Sequence, residues 1–198
     1  MENKENVPKD GGGLAKGAWY GLFLICIIQI FNYADRSIIN VLLQPIKQEL
    51  LLTDTQIGII SGFAYALFYA FAGLFLAYLA DKYSRKWVIF FSIVLWSIMT
   101  AFTGAAQNFT HLFLARMGIG FGEAGAIPSS NSLIADWFPP KRRSFAMALF
   151  GSCVFIGLMV GSIIGGVVSQ AYGWRWAFVA AGGAGVFFFS FFFFFPLK

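Results

Sequence analysis

Charge is scarce in this sequence. Asp, Glu, Lys and Arg make up 12% of its 198 residues, against roughly 25% in a soluble domain, while 59% are hydrophobic and the mean hydropathy is +0.73. That balance excludes a water-soluble globular fold and leaves an integral membrane protein. Cysteine is nearly absent. Cys26 and Cys153 fall within apolar stretches and read as small buried hydrophobes, not as a disulfide framework or a metal pair. There is one histidine, His111, at the edge of an apolar stretch. With no zinc-ligand spacing, no P-loop and no nucleophile elbow, no residues are visible for metal-dependent, ATP-driven or hydrolytic chemistry. The chain is not read as an enzyme, no cofactor is expected, and neither end carries a lipidation signal. The net charge of +5 does not point to nucleic acid, because the basic residues sit in short clusters between apolar segments, where they set membrane orientation.

What is present in quantity is glycine and phenylalanine, 22 and 25 residues. Small residues let membrane helices approach closely where no hydrophobic force drives them together, so the expected fold is an all-α membrane protein, a bundle of six transmembrane helices. A span needs about 20 apolar residues, and six segments qualify: 18–43, 56–80, 87–107, 113–135, 145–170 and 176–196. They follow a polar cytoplasmic tail over 1–17 and precede a short cytoplasmic end, 197–198. The first apolar run is too long for a cleavable signal peptide, so its span is expected to be retained. Gln44-Pro45, the Thr53/Gln56 capping box, Pro139-Pro140 and Gly173 punctuate the segments.

Lysine and arginine fix the orientation. One side of these spans receives Lys4, Lys9, Lys16, Lys82, Arg85, Lys86, Lys141, Arg142, Arg143 and Lys198, the other only Lys47 and Arg175. The positive-inside rule places both termini in the cytoplasm. The expected location is the plasma (cell inner) membrane, as a multi-pass protein with lipid around it. Trp19, Trp87, Trp137, Trp174 and Trp176 lie near the predicted interfaces, where tryptophan belts are expected.

Four ionisable residues break the apolar pattern. Asp35 and Arg36 stand in the first span, beside Asn32 and Tyr33, and Arg116 and Glu123 stand in the fourth. A charge at a helix centre costs about 2.5 to 3.5 kcal/mol on insertion scales, and such residues by default mark a transport or ion pathway. Asp35 and Arg36 diverge by about 100° around their helix and should meet different neighbours. Arg116 and Glu123, two turns apart, share a face, among Gly118, Gly120, Gly122 and Gly125. Close approach of that glycine-rich face is expected to bring Asp35 near Arg116 or Glu123. The carboxylates would then be protonation sites coupled to making and breaking an ion pair; the alternative is a static ion network that only fixes helix register.

Two further patterns stand out. Asp81, Arg85 and Lys86 lie in the short turn after the second span, either as a topology anchor or with Asp81 capping a neighbouring helix. Gly157, Gly161 and Gly165 recur every four residues in the fifth span and read as a tight packing stripe. The last segment, VFFFSFFFFFPLK, is apolar enough to span but specifies no packing surface.

These motifs, in order, resemble the amino-terminal half of a major facilitator superfamily transporter, most closely the spinster-like group of lysolipid and sphingolipid transporters. Residues 77–86, AYLADKYSRK, are similar to the superfamily's cytoplasmic signature, with Ala77 and Ser84 where that pattern has glycine. Arg116, Gly120 and Gly122 resemble its RxxxGxG signature, and Glu123-Ala124 with NYADR over 32–36 point to the spinster-like group. The glycines of the fifth span resemble an antiporter motif in which Ser162 replaces proline. The resemblance implies one half of a twelve-helix fold and movement of an organic solute, lipid-like or anionic, by a facilitative or proton-linked mechanism with the proton as coupling ion. It implies that Asp35 and Glu123 are the protonatable sites, that Arg36 and Arg116 are their partners or substrate contacts, and that Asp81 is a gate residue. The other half is expected from an omitted carboxy-terminal part, or from a second copy of the chain. A half-domain that binds lipid or a partner without transporting is the other class of function.

Overall fold

A computed structural model describes residues 17–82 and 85–194. The described residues form eight α-helices and one π-helical turn: α1 (Ala18–Glu49), α2 (Asp54–Gly58), the π turn (Ile59–Phe63), α3 (Ala64–Lys82), α4 (Arg85–Gly104), α5 (Phe109–Glu123), α6 (Ala126–Trp137), α7 (Pro140–Tyr172) and α8 (Trp174–Phe194). The segment α2–π–α3 forms one rod and α5–α6 another, so six rods make the bundle. Four stretches among the described residues, Ala18–Glu49, Asp54–Leu76, Trp87–Gly104 and Pro140–Tyr172, are by themselves long and apolar enough to cross a membrane.

Most helix ends shift from the expected spans by a few residues, and two differences have a clear physical cause. The first helix does not stop at Gln44-Pro45 but runs through Pro45 to Glu49. Proline removes one backbone hydrogen bond, yet the turn beyond it buries Ile46, 1% exposed, against the same apolar cluster as Leu42, Leu52 and Trp174. Burial of a side chain that size, worth about 1.5 to 3 kcal/mol, helps to hold the helix across the proline. The fourth span is not one helix. It breaks at Ala124-Gly125 between α5 and α6, because Pro128 lacks the N–H that would bond the Ala124 carbonyl four residues back and its ring crowds that carbonyl.

Other punctuation acts as its chemistry requires. The Thr53 hydroxyl accepts from the Gln56 N–H while the Gln56 side chain accepts from the Thr53 N–H, a complete capping box opening α2. Pro139 and Pro140 open α7, and Gly173, at φ 88°, ends it in a conformation that glycine adopts without steric cost.

The bundle is held by close helix seams. α1 and α7 run parallel, and their contacts advance together: a Cβ at Gly157 would stand 2.6 Å from the Ile30 carbonyl oxygen, one at Gly161 would strike the backbone of Ala34, and one at Gly165 would sit 3.4 Å from Ile38 Cα. Gly166 points away, with open space around it. The Ser37 hydroxyl ties the same seam, 2.9 Å from the Leu158 carbonyl and 2.6 Å from Ser162 Oγ. On α5, a Cβ at Gly120 would lie 2.6 Å from the Tyr65 carbonyl oxygen and one at Gly122 2.8 Å from the Trp96 nitrogen, so α3 and α4 both meet α5 backbone to backbone.

Two apolar clusters result. One gathers Leu22, Ile25, Ile93, Trp96, Phe138 and Phe150; the other gathers Ile38, Leu42, Ile60, Leu112, Trp174 and Phe178. α1 contributes residues up to Ile28 to the first and from Ile38 to the second. Between them it buries a polar layer of Gln29, Asn32, Asp35 and Ser37. At the far end of α1 a clasp joins three elements: the Trp174 indole donates to Glu49 at 2.5 Å, Arg175 pairs with Glu49, and Arg175 Nη2 donates to the Ala106 carbonyl at 3.0 Å.

Candidate functional site

The polar layer is where the four charges meet. Asp35 and Arg36 leave α1 in different directions, as adjacent helical residues must. Asp35, 5% exposed, turns to α4. There Thr100 Oγ1 donates to Asp35 Oδ2 at 3.0 Å, and Trp96 is a second side-chain hydrogen-bond partner. Arg36 turns to α5 and α3.

Glu123 is the centre of the arrangement, 0% exposed at the end of α5. Its Oε2 accepts Arg36 Nε at 2.8 Å, lies 2.8 Å from Arg36 Nη2, and accepts the Tyr65 hydroxyl at 2.6 Å. Its Oε1 is buried, and among the described residues it has no hydrogen-bond partner; the same is true of both side-chain polar atoms of Asn32. A carboxylate that concentrates its bonds on one oxygen keeps acceptor capacity on the other.

Aromatic rings enclose Arg36. Its guanidinium lies 4.8 Å from the Tyr33 ring centroid, 4.9 Å from Tyr65 and 5.4 Å from Tyr69, and Tyr65 and Tyr69 stack at 5.6 Å. Cations within about 6 Å of a ring face are attracted by its quadrupole. The Arg36 side chain retains 23% exposure, whereas Arg116 is almost fully buried at 3%. Arg36 is therefore the accessible cation of the pair.

Arg116 sits two turns before Glu123 on α5. Its Nε donates to the Ile60 carbonyl of the π turn at 3.2 Å, and its guanidinium lies 5.2 Å from the Tyr65 ring. Electrostatically it has Glu123, Asp35 and Arg36 as neighbours. Asp35 likewise interacts through space with Glu123 and Arg116, but the close ion pair within the cluster is Arg36–Glu123. The approach of Asp35 to α5 is thus one of field, with its hydrogen bonds supplied by α4.

Of the remaining sequence candidates, Gly120, Gly122, Gly157, Gly161 and Gly165 occupy the seams described above. Asp81 lies in the last turn of α3, and Arg85 and Lys86 open α4; their side chains lie outside the described residues. Among the described residues no group of three His, Cys, Asp or Glu side chains could hold a metal ion.

Tyr65, Tyr69 and Thr100 are functional candidates that the sequence reading missed. Tyr65 and Tyr69 are four apart and so share a helix face, which was a usable signal. Thr100 carries none, because a threonine in a membrane helix ordinarily bonds its own backbone.

Comparison with known proteins bears on the family of the chain. The chain is 36% identical over 169 residues to an MFS-type efflux pump of Mycolicibacterium smegmatis, covering 85% of this chain and 39% of that protein. It is 30% identical over 175 residues to the probable galactarate/D-glucarate transporter GudP of Bacillus subtilis, covering 85% and 38%. It is 32% identical over 162 residues to the probable sulfoacetate transporter SauU of Cupriavidus necator, covering 81% and 37%. The chain therefore spans about two fifths of the length of the curated relatives it matches. In structure it superposes with a TM-score of 0.84 and 32% identity on a bacterial homologue of the human lysosomal transporter Spinster in an inward-facing, occupied conformation, covering 91% of this chain and 44% of that one. The Major Facilitator Superfamily matches residues 25–198, and the chain belongs to that family as an integral, multi-pass membrane protein with the fold of a six-helix half.

Proposed function

We propose that this chain forms one wall of a secondary transporter that moves an organic anion across the membrane in step with a proton. The observation that carries the reading is the Arg36–Glu123 pair: an arginine with one accessible face, held by a fully buried carboxylate that Tyr65 also bonds. Protonation of Glu123 weakens its hold on Arg36 and frees the guanidinium to take an anionic group in its planar fork. Release of the anion and loss of the proton on the other side of the membrane restore the pair. Asp35, bonded to Thr100 and Trp96 within the field of Glu123 and Arg116, is the second protonatable site and buffers the charge of the layer.

Several of the relatives are named for organic anions, galactarate or D-glucarate and sulfoacetate among them, which supports an anionic substrate. One solved structural neighbour is described as a bacterial homologue of the human lysosomal transporter Spinster, and the aromatic ring around Arg36 also suits an amphiphilic anion. The opposite wall comes from six further helices or from a second copy, since binding sites of this family lie between two halves at the midplane. Both ends of the chain face the cytoplasm in this reading, as the basic loops require, and the membrane is the cell's plasma membrane.

Reconstitution of the full-length transporter carrying this segment tests the proposal. Labelled galactarate and sulfoacetate are offered to vesicles preloaded with the unlabelled anion, and counterflow that Arg36→Gln abolishes is the expected result. Retention of labelled anion without any counterflow indicates a binding protein and overturns the transport reading.

A further inference from the structure

The π turn at Ile59–Phe63 is the one departure from α geometry within a helix among the described residues. In it the N–H of Ala64 bonds the carbonyl of Ile59, five residues back. A π turn accommodates about one residue more than an α turn, so it shifts the phase of every later residue in the rod by about 100°. Tyr65 and Tyr69, two of the rings over Arg36, come directly after it.

Both flanks of the turn are fixed. Upstream, the Thr53 capping box and the Lys47–Asp54 ion pair hold α2 to the end of α1. Downstream, Tyr65 bonds Glu123, and Gly120 receives the backbone of Tyr65 and Tyr69. The extra residue reconciles the two. On the turn itself, the Ile60 carbonyl, in a residue 1% exposed, accepts Arg116 Nε. A buried guanidinium of the charge layer thus grips the backbone of the segment that aims the tyrosines.

The geometry points to Arg116 as a positioning residue. Through the Ile60 carbonyl it holds residues 59–63 in the π form, and that form turns Tyr65 onto Glu123 and Tyr69 onto Arg36. Arg116, almost fully buried, acts on the site through backbone phase, while Arg36 keeps the accessible face. This goes beyond the transport reading and does not depend on it.

The extra residue also supplies the test. Four α residues cover nearly the same rotation and rise as five π residues, so removing one residue from the turn yields a continuous α-helix with Tyr65 still facing Glu123. Gly62 is exposed with nothing within 4 Å of its Cβ position, which makes it the residue to delete. The protein is produced with 3-fluorotyrosine, the Tyr65 signal is identified by its loss in Tyr65→Phe, and its fluorine shift is compared with and without Glu123→Gln.

In the parent the Tyr65 signal moves when Glu123 is changed. In Arg116→Gln that response is lost. In Arg116→Gln with Gly62 deleted it returns, and with Gly62 deleted alone it is present, because neither needs the guanidinium to keep the phase. A response that persists in Arg116→Gln overturns the assignment. So does failure of the deletion to restore it, or its absence when Gly62 alone is deleted. General misfolding of Arg116→Gln would not be repaired by removing a residue on the opposite, exposed side of the helix.

Discussion

The Tyr65 hydroxyl and the Arg36 guanidinium converge on one oxygen of Glu123, at 2.6 Å and 2.8 Å, and leave the other oxygen of that buried carboxylate without a partner among the described residues. Three rods of the bundle meet at this point: α1 through Arg36, α3 through Tyr65 and α5 through Glu123. A change at any of the three residues is felt by the other two.

Tyr65→Phe keeps the ring beneath Arg36 and removes one donor to the carboxylate. A hydrogen bond to a charged group is worth about 1.5 to 3 kcal/mol, so the variant should unfold at a lower temperature while retaining the cation–π contact. Arg36→Gln goes further, because it leaves the fully buried Glu123 without its partner charge; breaking a fully buried pair costs about 3 to 5 kcal/mol, an upper bound here since Arg36 retains 23% exposure. Thermal unfolding in detergent should rank the variants in that order. If Arg36→Gln is as stable as the parent, the pair does not hold the three rods.

The α1–α7 seam gives a graded series. Gly161→Ala drives a methyl into the Ala34 backbone and Gly157→Ala places one 2.6 Å from the Ile30 carbonyl, while Gly165→Ala meets Ile38 at ordinary contact distance. Strain from overpacking is typically about 1 to 3 kcal/mol. Loss of thermal stability is expected for the first two and near-parent stability for the third. Equal effects at all three positions would mean that the seam is looser than the structure has it.

How much of this was legible in the sequence differs from residue to residue. The four charges were visible because a charge among apolar residues needs no neighbour to be conspicuous, and the capping box at Thr53 is a local pattern read within four positions. The partner of each charge was not visible, because it depends on the rotation of one helix against another. Asp35 was expected near Arg116 or Glu123 and lies within the field of both, but its hydrogen bonds come from α4, which nothing in the sequence indicated. Pro45 and Pro128 show the same limit from the other side. Both are prolines in apolar helices, yet only the second breaks its helix, since the first is outweighed by burial of Ile46. The π turn has no sequence signature, because what holds it is not local: the fixed ends of its rod call for an extra residue there, and the Arg116 bond to the Ile60 carbonyl comes from another helix.

The clasp at the end of α1 is open to direct test. Glu49 holds both Trp174 and Arg175, and Arg175 in turn holds the Ala106 carbonyl. Glu49→Gln retains an acceptor for the indole but removes the charge that orients Arg175. Because Glu49 and Arg175 are substantially exposed, the loss should be small, about 1 kcal/mol or less. Glu49→Ala should cost more, since the Trp174 indole then loses its acceptor. Proteolysis of the α7–α8 junction at Gly173 provides the readout, with cleavage faster in Glu49→Ala than in Glu49→Gln. The same rate in both would show that the indole bond does not secure the junction.

In the proposed mechanism Glu123 couples a proton to the movement of an anion, and flux under an imposed pH gradient reads that coupling. Vesicles containing the full-length transporter and its Glu123→Gln variant are assayed for labelled anion uptake across a range of internal and external pH. Uptake that tracks the gradient in the parent, and no pH-dependent uptake in Glu123→Gln, is the expected result. Uptake by the variant that still tracks the pH gradient as the parent does would contradict that mechanism.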